Sequence, residues 1–72
     1  MKKDKQINRS LIIFPDQKIF IAYQKIKQSG FRTLAVINKQ KKLLGTISDG
    51  DLRRSLLKGK NINSDINNIY NK

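Results

Sequence analysis

Leu44-Gly45-Thr46-Ile47-Ser48-Asp49-Gly50-Asp51-Leu52-Arg53-Arg54 is the stretch that decides the fold of this chain. It begins as an apolar, β-compatible run and turns polar at Ser48. Ser48 and Asp51 have the Ser-x-x-acid spacing of a capping box, in which each side chain satisfies a backbone N–H at the start of a helix. Leu52, Leu56 and Leu57 then supply the apolar positions of that helix, and Gly59 marks its end. Asp49 and Asp51 in the first turn and Lys58 in the last suit the helix dipole. The stretch reads as a strand that runs directly into a helix.

Upstream, Leu34-Ala35-Val36-Ile37 is another β-type run, and Asn38-Lys39-Gln40-Lys41 is a polar turn. Residues 34–47 are therefore expected to form a hairpin, although the turn lacks the Asn-Gly pair that favours the tightest loops. Ile19, Ala22, Tyr23 and Ile26 recur at i, i+3, i+4 and i+7, the stripe of an amphipathic helix. Asp16 is its expected N-cap, Gly30 its C-terminal stop, and Phe20 and Tyr23 are expected in its core. Leu11 to Phe14 is a short apolar burst ended by Pro15, which fits a brief strand. The order is β-α-β-β-α, an α+β fold with a small three-stranded sheet and two helices. Residues 1–9 read as a basic flexible arm, 10–59 as the folded body and 60–72 as a linker. Ser64 to Tyr70 is expected to begin one more helical turn.

Seventy-two residues allow one small domain, and a single core of that size seldom supplies more than about 3–5 kcal/mol. Two helices cover one face of a three-stranded sheet, so the other face is expected to pair with a second copy or a neighbouring domain. The chain has no Cys and no His, which removes disulfides, the usual zinc sites, and Ser-His-Asp and Cys-His catalysis. Its five acids are all Asp. These absences argue against an independent enzyme. The apolar run Leu11–Phe14 is far short of the roughly 18 residues that a membrane span needs, and the chain reads as cytoplasmic. Sixteen Lys and Arg give a net charge of +11. That charge is dispersed, so solvated surface explains it more simply than a nucleic-acid footprint does.

The start of the second helix is also where ligand chemistry is concentrated. Free N–H groups and the positive dipole end suit a phosphate. Ser48 can donate a hydroxyl hydrogen bond there, Asp51 can hold ribose hydroxyls, and Gly50 leaves room for close approach. Asp49 opposes an anion unless a basic group intervenes, and Arg32, Arg53 and Arg54 are the candidates. A calcium loop on Asp49-Gly50-Asp51 fails, because its fifth and twelfth positions are Arg53 and Lys60. Lys39, Lys41 and Lys42 read as a solvated hairpin tip.

Residues 10 to 59 resemble one CBS domain, the motif named after cystathionine beta-synthase. The resemblance rests on Leu11-Ile12-Ile13, the helix ending at Gly30, Leu34 to Ile37, and the Gly-x-x-Ser-x-x-Asp core of Leu44 to Leu52. The Asp-Gly-Asp-Leu-Arg-Arg run is similar to CBS units attached to sugar-phosphate isomerases and sugar nucleotidyltransferases. Ser64 to Asn71 looks like the lead-in to a second CBS motif. The resemblance implies half of a Bateman module: a unit that pairs with a second CBS unit and binds AMP, ADP, ATP or a related nucleotide in the cleft between them. It implies regulation of an attached catalytic domain or transporter. Ser48 matches the phosphate-contacting hydroxyl and Asp51 the ribose-holding acid. Ile12, Ile13, Arg32, Leu34 and Ile47 fall where the base pocket is lined. Ala35 departs from the Pro of many members. Many such units bind no ligand, so a pure assembly role and a basic nucleic-acid binder stand as the alternatives.

Overall fold

In the computed structural model, which describes residues 11–72, the chain forms β1 (Ile12–Ile13), α1 (Ile19–Ser29), β2 (Thr33–Ile37), β3 (Leu43–Ser48) and α2 (Asp49–Leu57). The basic arm expected at 1–9 lies outside the described residues. The sheet order is β1-β2-β3, with β1 parallel and β3 antiparallel to β2. This is the expected α+β arrangement of three strands and two helices.

Register sorts the sheet into two unequal faces. Ile13 pairs with Val36 and Leu34 with Ile47, and these four fully buried side chains join Ile19, Ala22, Leu52 and Ile66 in one core. Ile12 pairs with Ala35 and Ala35 with Thr46. On that opposite face Ile12 and Ala35 are half-buried and Thr46 is exposed. The period-2 alternation of strand side chains thus leaves one face covered and the other open.

The hairpin turn closes without Asn-Gly. The Asn38 side-chain oxygen accepts from the N–H groups of Gln40 and Lys42, each at 2.9 Å. Lys41 takes the left-handed position that a glycine would fill, with φ of 67°.

Helix α1 starts later than expected. Asp16 lies in a turn closed by the Gln17 N–H on the Phe14 carbonyl at 3.0 Å, and the N-cap is Lys18, whose side chain makes no capping bond. The cap comes from elsewhere in the chain. Ile19 N–H donates to the Ser64 carbonyl at 2.9 Å and Phe20 N–H to the Ile62 carbonyl at 3.1 Å, satisfying two groups that every helix start leaves without an internal partner. Gly30 ends α1 as expected, with φ of 79° and its N–H on the Ile26 carbonyl. Ile19 and Ala22 are buried and Tyr23 and Ile26 pack at the core edge. Phe20, expected in the core, is instead 37% exposed, and Leu57 of α2 is 81% exposed.

Residues 62–71 form a strap, where a helical turn was expected at Ser64 to Tyr70. Asx-type bonds from the Asn63 N–H to Asn61 Oδ1 at 2.8 Å and from the Asn67 N–H to Asp65 Oδ1 at 3.1 Å hold turns that compete with helix formation. Ile66 is fully buried, with Ile69 and Tyr70 against the same core. The strap ends along β3, where Thr46 and Asn71 exchange backbone bonds of 2.9 and 2.8 Å. A Cβ on Gly45 would fall on the Asn71 carbonyl oxygen and lie 3.0 Å from the Tyr70 ring, so this strand glycine makes room for the strap.

Candidate functional site

Ser48 ends β3 and Asp51 lies in the first turn of α2, and both halves of the capping box form. Ser48 Oγ accepts from the Asp51 N–H at 3.1 Å, and Asp51 Oδ2 accepts from the Ser48 N–H at 2.9 Å. The Ser48 hydroxyl also donates to Asp51 Oδ2 at 3.0 Å. On the other oxygen, Arg54 donates to Asp51 Oδ1 at 2.7 Å. The Asn71 side-chain amide, arriving on the strap, lies 3.1 Å from Oδ2 and 3.3 Å from Oδ1. Asp51 is only 7% exposed. Burial pushes its carboxyl up. The Ser48 backbone and hydroxyl bonds and the Arg54 charge outweigh that push, and hold it below the usual carboxylate range. The result is a nearly buried, ionised carboxylate facing an array of donors.

Asp49 does not leave its charge at the helix start uncompensated, because Arg53 pairs with it at 2.7 Å. Its N–H donates to the Arg32 carbonyl at 2.9 Å. Arg32 lines a separate groove of about 500 Å3 with Tyr23, Phe31, Asp49 and Arg53. The seven residues expected at a ligand therefore fall into distinct places. Ser48 and Asp51 are in direct contact. Ile13, Leu34 and Ile47 fill the core, Ile12 is on the open sheet face, and Arg32 is exposed near Asp49. Asn71 is a member of the Asp51 cluster that local sequence reading missed, since it is 20 residues away. The one sequence signal for its approach is a glycine at position 45, inside a strand.

A hairpin that feeds its last strand into a Ser-x-x-Asp-capped helix, joined by a crossover helix to a short parallel strand, defines a small α+β module. Residues 5–58 match the CBS domain family. The chain belongs to that family.

Solved structures carry the same fold. The chain is similar to a CBS domain protein from Pyrobaculum aerophilum complexed with AMP, at TM-score 0.79 and 11% identity, covering 86% of this chain and 49% of that one. A CBS-domain-containing protein from Agrobacterium tumefaciens aligns at TM-score 0.80 and 16% identity, with 86% and 48% covered. CbpB in complex with c-di-AMP aligns at TM-score 0.74 and 27% identity, with 85% and 44% covered. The chain spans about half the length of these structures. No curated protein matches it. Among the described residues, no helix is long and apolar enough to cross a membrane.

Proposed function

We propose that this chain is a regulatory unit that binds an adenosine-type nucleotide between paired CBS units and modulates an attached enzyme or transporter in the cytoplasm. CBS domains are generally regulatory rather than catalytic, and the AMP and c-di-AMP complexes of similar proteins support a nucleotide as the ligand class. The Asp-Gly-Asp-Leu-Arg-Arg run supports attachment to a sugar-phosphate isomerase or sugar nucleotidyltransferase. The open face around Ile12, Ala35 and Thr46 suits a second CBS unit, either another copy or a second motif following residues 60–72.

The observation that carries this reading is the Asp51 carboxylate. It is ionised, and Arg54 and Asn71 reach it through side chains that can turn away. Ribose hydroxyls are hydrogen-bond donors and replace those two groups without leaving the carboxylate unsatisfied. Ser48 supplies a hydroxyl beside it for phosphate, and Ile12 on the open face and the exposed Arg32 would line the base once a partner completes the cleft, with Ile13, Leu34 and Ile47 held in the core behind them.

A second reading has its own support. The two Ser48 donors, Arg54 and Asn71 already fill the roughly four lone-pair positions of the carboxylate. This is what a purely structural cap in an assembly unit would show. Titration calorimetry with AMP, ADP, ATP and c-di-AMP at about 300 mM salt, which screens diffuse attraction, separates the two. Saturable heat that disappears in Asp51→Ala supports sensing. No heat with any of the four, from a chain that is dimeric by light scattering, supports assembly alone.

A further inference from the structure

Between α2 and the strap, the chain gathers positive charge that the capping box does not use. Arg54 and Lys58 are four residues apart and share one helix face, an arrangement that repels unless an anion intervenes. Gly59 then turns left-handed with φ of 104°, and the Lys60 N–H returns to the Ser55 carbonyl at 3.0 Å. That turn folds Lys60 back beside the other two cations. Together with Asn68 of the strap they line a concavity of about 290 Å3 with Asp51 in its wall. Asp51 is matched by Arg54 at 2.7 Å. Among the described residues no carboxylate forms an ion pair with Lys58 or Lys60.

We propose that this concavity binds a phosphate-class anion. Lys58 and Lys60, which meet no carboxylate among the described residues, match the charge of a phosphate monoester or an inorganic phosphate. Arg54 spends one of its guanidinium N–H groups on Asp51 and keeps the rest of its fork for the same anion. The Asn68 side chain adds a neutral donor. The volume lies at the bottom of the roughly 300–1,000 Å3 range of pockets that enclose whole organic ligands, so the anion is small or is one end of a ligand. The site does not depend on the nucleotide reading. With Asp51 in its wall, the phosphate is either that of a nucleotide whose ribose reaches Asp51 from this side, its phosphate then lying here rather than beside the Ser48 hydroxyl, or a free anion.

The test is an NMR titration of the full chain at constant ionic strength with inorganic pyrophosphate, AMP and adenosine, following the Ser55, Lys60 and Asn68 amides. Pyrophosphate or AMP should give saturable shifts that weaken at least about 10-fold in Lys58→Ala/Lys60→Ala and survive in Lys58→Arg/Lys60→Arg. AMP binding that needs both lysines, with adenosine silent, identifies the nucleotide as the source. Pyrophosphate binding without any AMP binding identifies a free anion, upholding this site while counting against the nucleotide reading. AMP binding lost in Asp51→Ala but unchanged in the double lysine variant overturns the anion site and leaves the nucleotide reading intact. Absence of saturable shifts with both phosphate probes also overturns it.

Discussion

Replacing Gly45 with Ala tests whether the strap is part of the fold. Gly45 is not among the positive-φ residues, so alanine can adopt its backbone conformation. In an unobstructed strand the change should stabilise by roughly 0.5–1 kcal/mol through reduced chain entropy. Here the new Cβ meets the Asn71 carbonyl and the Tyr70 ring, so the strap end must withdraw. Withdrawal gives up two backbone bonds to Thr46, each worth about 0.5–1.5 kcal/mol, and the Asn71 amide on a charged carboxylate, about 1.5–3 kcal/mol. Freeing Asn71 and Lys72 returns about 1–2 kcal/mol of backbone entropy per residue. The net is a destabilisation of about 1 kcal/mol, opposite in sign to the unobstructed case. With a urea slope near 1 kcal/mol/M for so small a domain, the midpoint should fall by about 1 M. Urea unfolding followed by circular dichroism measures the shift, and amide exchange at Thr46 and Asn71 should lose protection in parallel. A midpoint at or above that of the parent chain, with Asn71 protection intact, would refute the strap as described.

Three further predictions follow from the same contacts. Ile66→Ala removes a fully buried side chain of the strap and should cost about 2–5 kcal/mol. That is comparable to the whole stability of a domain this size, so its far-UV spectrum should be largely that of an unfolded chain at 37 °C. Lys41→Gly relieves a left-handed non-glycine residue and should raise stability by about 0.5–1 kcal/mol in the same urea assay, since the relief of roughly 1–2 kcal/mol exceeds the added chain entropy. Asp51 titrates lower in the folded chain than in the unfolded one, so its contribution is complete above about pH 4 and is lost as the pH falls below that value. The urea midpoint should drop as the pH falls below about 4, and Asp51→Asn should flatten that part of the drop.

What the sequence made legible was local. Ser48 and Asp51 are three residues apart, and their mutual capping follows from spacing alone; Gly30 and the strand runs at 34–37 and 43–47 were readable for the same reason. The misplaced start of α1 has a non-local cause. Asp16 is a good N-cap residue, but carbonyls some 45 positions later in the chain supply the cap to Ile19 and Phe20, and local periodicity does not encode that approach. Phe20 was read as core because it is aromatic and adjacent to the stripe. The helix rotation set by Ile19 and Ala22 leaves it at the surface. At the candidate site the pair Ser48–Asp51 was visible, while Asn71 was not, because its contact with Asp51 depends on the path of the whole strap. Arg32 was expected at the base pocket and as a basic neighbour of Asp49; its carbonyl accepts the Asp49 N–H, and it lines one groove with Asp49 and Arg53.

The most direct test of the account is a crystal structure of this chain with AMP. The account predicts the ribose hydroxyls at about 2.5–3.0 Å from the Asp51 carboxylate oxygens, with the Asn71 amide, the Arg54 guanidinium or both turned away and a second CBS unit closing the cleft. AMP bound elsewhere with the Ser48–Asp51–Asn71 contacts unchanged, or no nucleotide density at saturating AMP, would contradict it.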